Sequence, residues 1–288
     1  MLTRTIYVNG QYVAESEARL SVFDRGFLFA DGIYEVSAVI DGRLIDNDLH
    51  LARLERSLAE ISIPMPMTKD EIVEVQTQLM IRNELREGVV YLQVTRGTAE
   101  RDFGYPKDLT PTFVAFTQAK SLRNAPSFLN GVAVDIVPDI RWGRRDIKSI
   151  MLLAQVMAKT SARENGFHEA WLAEDGYVTE GASSTAFILS KANVLITRPN
   201  SKSVLPGCTR QAILRIAEEQ GLGIEERLFT VEEAFDAKEA FLTSASSLVT
   251  PVIKIAAHII GNGKPGPVTT RLQTIYLDLA RTSSEPVL

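Results

Sequence analysis

Lys148, in the segment Asp146 to Ile150 (DIKSI), is the residue of this chain best placed by its surroundings to attack a carbonyl carbon. An amine is a nucleophile only without its extra proton, and apolar burial favours that form by disfavouring the ammonium ion. Ile147 and Ile150 flank the lysine, and Met151, Leu152 and Leu153 follow, while Asp146 pulls the other way. Taken alone, a lysine at a helix start is an ordinary surface cation with its stem on apolar surface and its charge in water.

Two further segments supply what an isolated amine lacks. Val178 to Ser184 (VTEGASS) carries Glu180 on a strand-turn, where Gly181 permits a tight backbone and Ala182, Ser183 and Ser184 leave space. A carboxylate facing a pyridine nitrogen keeps that nitrogen protonated through a charge-assisted bond of about 1.5–3 kcal/mol. The ring then becomes an electron sink. In Leu205 to Arg210 (LPGCTR), Gly207 stands ahead of a helix beginning near Thr209, and open backbone N–H groups at the positive end of a helix dipole bind anions. The Ser-rich turn Thr243 to Ser247 can add donors, and Arg53 can add a bidentate phosphate contact. Each segment also has a plain reading: an exposed hairpin glutamate, a helix capped by Thr209, a surface arginine beside Arg56. Taken together, amine, carboxylate and anion cradle describe a pyridoxal 5′-phosphate site.

The elements that must position these residues fall into two parts. Asn9-Gly10 and Asp41-Gly42 sit between strand-like runs and mark antiparallel hairpins. Helices over about Leu49 to Ile61 and Lys69 to Asn83 follow, then strands at Val89 to Thr95 and Thr112 to Gln118, the pattern of an α+β domain over residues 1–118. The periodicity fades over 119–130, which reads as a connection. Residues 131–288 form the larger expected domain. They hold a strand at Val132 to Val137, a helix from Ser149 to Asn165, a hairpin turning at Asp175-Gly176, and a strand at Val194 to Thr197. A helix from Thr209 to Gln220, a capping-box start at Thr230 with Glu233, two more strands and a last helix from Pro267 complete it.

Composition narrows the functional classes. At 288 residues the chain has length for about two domains, and 45% apolar with 23% charged residues is the balance of a globular protein. Thirty-one basic against 36 acidic residues give a net charge of −5 with no long basic run, which disfavours nucleic acid as a partner. The single cysteine, Cys208, excludes an internal disulfide, and no apolar run reaches the roughly 20 residues needed to span a bilayer. The expectation is a cytoplasmic protein without a membrane partner. His50, His168 and His258 are scattered without ligand spacing, so no metal is assigned.

With those residues in view, the chain resembles the fold-type IV pyridoxal-phosphate enzymes, nearest the D-amino acid aminotransferases. The likeness runs over nearly the full length, through FDRGFLFADGIYEV (Phe23 to Val36), HLARL (His50 to Leu54), VTRG (Val94 to Gly97), DIKSI, TEGASS (Thr179 to Ser184), LPGCTR, VTPV (Val249 to Val252) and KPGPV (Lys264 to Val268). It implies a two-domain α/β (α+β) fold with the cofactor between the domains, and a homodimer. It implies further that Lys148 holds the cofactor covalently and then moves the proton at the substrate Cα. Glu180 would face the pyridine nitrogen. Arg53, the Cys208 backbone, Thr209 and Ser246 would hold the phosphate, Leu205 would pack on the ring, and Ser183 would lie among the cofactor contacts.

The same resemblance assigns the substrate carboxylate to Tyr34 and Arg101. The family's histidine at the third position of that trap is replaced here by Phe103, which donates no hydrogen bond. The implied reaction moves the amino group of a D-amino acid to pyruvate or 2-oxoglutarate by a ping-pong course. An (R)-selective amine transaminase, a branched-chain L-amino acid aminotransferase and an aminodeoxychorismate lyase share the lysine and stand as alternatives.

Overall fold

A computed structural model describes residues 4–282 and 286–288. The chain divides into two compact units. The first comprises Met1–Ser121, Ile147–Met151 and Ala280–Leu288, and the second Leu122–Asp146 and Leu152–Leu279. Thus the lysine segment and the C-terminal tail return to the first unit.

In the first unit, strands β1 (Thr5–Val8) and β2 (Gln11–Ala14) close at Asn9-Gly10, and α1 (Arg25–Phe29) leads into β3 (Gly32–Ile40). β4 (Arg43–Ile45) pairs back on β3, then come α2 (Asn47–Glu60), α3 (Lys69–Arg82), β5 (Gly88–Thr95) and β6 (Thr112–Ala119). The sheet is antiparallel with order β2-β1-β6-β5-β3-β4. Its core gathers Ile33, Val39, Val90, Leu92 and Val94 of the sheet with Leu51, Leu54 and Leu58 of α2 and Ile72 and Leu79 of α3. The period-2 pattern of β3 and the three-to-four spacing on the helices are what align these faces. A capping box of Thr68 and Glu71 starts α3.

The second unit opens on α4 (Pro126–Asn130) and β7 (Val132–Pro138), followed by α5 (Leu153–Glu164), β8 (Glu169–Glu174), β9 (Tyr177–Gly181), β10 (Thr185–Leu189) and β11 (Val194–Thr197). Next come α6 (Cys208–Glu219), β12 (Gly223–Glu226), α7 (Val231–Phe235), β13 (Glu239–Ser244), β14 (Leu248–Ile255), β15 (His258–Ile259) and α8 (Pro267–Thr282), whose last residues belong to the first unit. Its sheet is mixed, ordered β12-β11-β10-β13-β14-β7-β8-β9 with β15 beside β14, and β7 runs parallel to both β14 and β8. Trp171, Ile188, Leu242 and Val252 lie at the centre of the core.

One expected element is shorter than its sequence pattern. The helix expected from Ser149 begins at Leu153. Ser149 bridges Ile33 in antiparallel fashion and the Ile150 N–H donates to Gly32 O, so their backbone groups are taken by β3 rather than by a helical turn. The apolar run after Lys148 is not its burial either, since Met151 is 40% and Leu153 70% exposed.

Candidate active site

Within the first unit, Lys148 is fixed by β3. The Tyr34 N–H donates to Lys148 O at 3.0 Å and the Ile150 N–H to Gly32 O at 3.1 Å, clamping the segment on either side of Ser149. Glycine at 32 is required by this approach, because a Cβ there would lie 2.7 Å from Val94 O and 3.1 Å from Ile150 Cδ1. The half-buried Lys148 projects its Nζ over the Tyr34 ring, 4.1 Å from the centroid, and Tyr91 stacks on Tyr34 at 5.7 Å. An amine and a phenol from one backbone ladder therefore sit together.

Arg53 is not a surface cation. It is 8% exposed on α2, with Nε 2.7 Å from Glu35 Oε1 and Nη2 2.8 Å from Oε2, and His50 Nδ1 lies 2.8 Å from Oε2. His50 and Arg53 are three residues apart and share a helix face, while Glu35 points from β3 to the face opposite Tyr34. Burial alone would raise the Glu35 carboxyl, but Arg53 and His50 outweigh it and hold it far below the usual range. The Nε–Nη2 edge of Arg53 is thus turned to Glu35. The bidentate phosphate contact that the sequence suggested for Arg53 cannot use this edge, which the ion pair with Glu35 occupies.

Arg101 and Phe103 lie on an exposed loop of the same unit. Arg101 Cζ lies 5.5 Å from the Phe29 ring centroid and 5.8 Å from that of Phe103, the two rings being 5.6 Å apart. The loop is tied down from beneath by buried Arg25, which donates to Asp102 O at 2.7 Å and to Phe103 O at 3.3 Å. Asp31 holds both Arg25 (2.9 Å) and Arg96 (2.7 Å). Burial pushes Asp31 upward, yet bonds from Arg96 and Arg25 outweigh it and keep the carboxyl below its ordinary value.

Within the second unit, Glu180 is 4% exposed on β9, which removes the reading of an exposed hairpin glutamate. Arg141 Nη1 donates to its Oε1 at 2.5 Å, and the Leu205 N–H lies 3.3 and 3.2 Å from its two oxygens. Arg141 is itself gripped by Asp139, through Nε at 2.9 Å and Nη2 at 2.7 Å, and the Thr179 hydroxyl donates to Asp139 at 2.7 Å. Burial pushes the Glu180 carboxyl above its ordinary value, with Arg141 as the largest opposing influence.

The segment after Leu205 forms the expected helix entrance, displaced by one residue. Gly207, not Thr209, is the N-cap of α6, and no side chain caps it, although Cys208, Thr209 and Arg210 are all buried. A Cβ on Gly207 would stand 2.9 Å from Thr185 Oγ1, and Thr185 pairs with Thr243 across β10 and β13. Ser246 belongs to the turn after β13, its hydroxyl 3.4 Å from that of Ser244. Ser183 faces elsewhere: its hydroxyl donates to buried Glu169 at 2.7 Å and accepts from Lys159 at 2.9 Å.

A family model described as Amino-transferase class IV matches residues 32–255. This chain belongs to the class IV aminotransferases. These are the pyridoxal-phosphate enzymes of fold type IV that its motifs resemble. Of similar sequence is the D-alanine aminotransferase of Bacillus licheniformis, 41% identical over 93% of this chain and 94% of its own length. The D-alanine aminotransferase of Staphylococcus aureus strain MSSA476 is 40% identical over 93% of this chain and 95% of its own length. In fold, the chain matches the branched-chain amino acid aminotransferase of Escherichia coli with a TM-score of 0.90 at 23% identity, covering 98% of this chain and 96% of that one. A second branched-chain amino acid aminotransferase, solved with pyridoxamine 5′-phosphate, matches at a TM-score of 0.85 and 23% identity over 98% of this chain and 95% of that one.

The residues of this aminotransferase fit its cofactor on two observations. Thr243 Oγ1 and Ser184 Oγ are buried hydroxyls without a hydrogen-bond partner, and the buried start of α6 offers backbone N–H groups with no side-chain cap. Donors left in this state suit an anion such as a phosphate. Sequence reading missed Arg141, Asp139, Glu35 and the Leu205 N–H. The signal for Arg141 was present in Asp139-Ile140-Arg141, an acid and a base one residue apart at the end of a strand, where they share a face. Among the described residues, no group of three or more His, Cys, Asp or Glu is placed to hold a metal ion, and no helix is long and apolar enough to cross a membrane.

Proposed function

We propose that this chain is a pyridoxal 5′-phosphate-dependent D-amino acid aminotransferase that moves the amino group to a 2-oxo acid, pyruvate or 2-oxoglutarate, by a ping-pong course. The observation that carries the reading is the Lys148 amine held 4.1 Å from the Tyr34 ring centroid on a segment bonded to β3. The cofactor supplies an electron sink for the charge left when the substrate Cα–H is broken. Lys148 anchors it and carries the proton to and from Cα, a role worth roughly 10²- to 10⁴-fold in rate. Glu180 faces the ring nitrogen, with Leu205 packed on the ring. Arg53, the Cys208 N–H, Thr209 and Ser246 would hold the phosphate.

Tyr34 and Arg101 receive the substrate carboxylate. The D-series is supported by the relatives named D-alanine aminotransferase, at about 40% identity over nearly the whole chain. A homodimer is supported by apolar side chains left on the surface, with Val22 66%, Phe27 77% and Phe103 81% exposed in the first unit and Leu153 70%, Val156 56% and Met157 55% in the second. A cytoplasmic setting is supported by the single, unpaired cysteine.

A second reading, transamination of (R)-amines, is favoured by one feature: Phe103, where the family's trap has a histidine, packs against Phe29 and puts an apolar ring beside Arg101. A half-reaction panel of D-alanine, L-leucine, (R)-1-phenylethylamine and aminodeoxychorismate separates the two readings and the remaining alternatives. D-alanine should bleach the visible band of the yellow enzyme, and pyruvate should restore it. Borohydride reduction followed by peptide mapping should label Lys148. A label elsewhere, or no spectral response to any D-amino acid, sinks the assignment.

A further inference from the structure

We propose that Arg141 is the positioning residue that holds Glu180 as an aimed carboxylate, with Asp139 holding Arg141 and Thr179 holding Asp139 in turn. The inference rests on the function proposed above and extends it to a residue that touches neither substrate nor cofactor ring in that reading.

The argument starts from what a buried carboxylate needs. Glu180 is 4% exposed, and a carboxylate removed from water reverts to the neutral acid unless charge and donors compensate it. Only as an anion can it keep a pyridine nitrogen protonated. The Leu205 N–H and Arg141 Nη1 both donate to it, and of these only Arg141 brings charge. Burial already pushes the carboxyl upward against Arg141, so deleting the guanidinium would carry it further toward the neutral acid.

Geometry shows why Arg141 can do this without collapsing onto Glu180. Asp139, whose side chain is fully buried, takes the Nε and Nη2 edge of the guanidinium in a fork and also accepts from the Arg141 backbone N–H at 3.1 Å. Thr179, one residue before Glu180 on β9, donates to the same carboxylate, and Arg145 pairs with it ionically at 3.2 Å. The guanidinium is thus locked at one edge and offers Nη1 to Glu180. A fork of this kind fixes orientation as well as charge, which an ammonium at the same place would not.

The test uses holoenzyme reconstituted with ¹⁵N-labelled pyridoxal 5′-phosphate and reads the ring nitrogen resonance, which separates protonated from unprotonated pyridine. In the parent enzyme the signal should be that of protonated nitrogen. Arg141→Met should move it toward the unprotonated position and lower kcat by about 10- to 100-fold, the worth of a hydrogen bond to a charged group, while KM for D-alanine stays within about twofold. Arg141→Lys, which keeps the charge and loses the fork, should restore the resonance and only part of kcat. Should Arg141→Met fail to fold, Asp139→Asn releases the guanidinium and should displace the resonance in the same direction. A parent-like resonance in Arg141→Met, or in Asp139→Asn where that is the variant read, overturns the proposal. Failure of the parent chain to take up cofactor at Lys148 would instead strike the function proposed above.

Discussion

Two buried ion pairs, one in each unit, use the same partners in opposite ways. Glu35 in the first unit is met by a forked arginine and by a histidine, and its carboxyl is held far below the usual range. Glu180 in the second is met by one guanidinium nitrogen and one backbone N–H, and its carboxyl is pushed up. Burial is near complete for both. What separates them is how many side-chain donors converge, and the difference assigns their work: Glu35 is saturated and serves to fix Arg53, whereas Glu180 has capacity left for one more partner.

The largest effect should come from breaking the saturated pair. Glu35→Gln removes the anion that faces buried Arg53 and should cost about 3–5 kcal/mol in urea denaturation, because an uncompensated buried charge is left behind. A loss below about 1 kcal/mol would show that the pair is solvated and erase the contrast. Next in size, Arg53→Lys keeps the charge but loses the fork. It should cost about 1–3 kcal/mol and weaken pyridoxal phosphate binding, measured by fluorescence titration. Unchanged cofactor affinity would remove Arg53 from the phosphate.

The pH dependences should carry opposite signs. Glu35, depressed in the fold, contributes stability that is present above its ordinary value of about 4.5 and lost as pH falls toward its folded value. Glu180, raised in the fold, contributes stability that is present below about 4.5 and lost as pH rises through its folded value. In cofactor-free protein, Glu180→Gln should therefore flatten the decline of stability above pH 4.5, and Glu35→Gln should flatten the decline below it. Equal slopes in parent and Glu180→Gln protein would mean Glu180 is not raised. Smallest of all, Thr179→Val deletes one donor to Asp139 and should cost about 1 kcal/mol by thermal or urea unfolding.

Local grammar made much of this legible. Asn9-Gly10, Asp41-Gly42 and Asp175-Gly176 are turns, Thr230 and Glu233 form the capping box, and Lys69 to Arg82 is a helix, because each depends on residues a few positions apart. The candidate roles of Lys148, Glu180 and Leu205 were read from their segments for the same reason. What stayed hidden is long-range pairing. Nothing near Ser149 announces that its backbone bridges Ile33, so the apolar spacing from 150 to 153 read as helix. Nothing near Arg53 announces Glu35, 18 residues away on a strand, so its buried ion pair was not read from the sequence. Arg141 escaped because its partner Glu180 lies 39 residues on.

The two backbone bonds that join the lysine segment to β3 have a mechanical consequence. Thermal fluctuation of that strand carries amine and phenol along as one body, so their spacing is insulated from loosening of the solvent-facing helix that follows. On the proposed assignment of Arg101 to the substrate carboxylate, the 99–104 loop is the place to begin if the enzyme's range is to be widened with the reacting nitrogen kept in register.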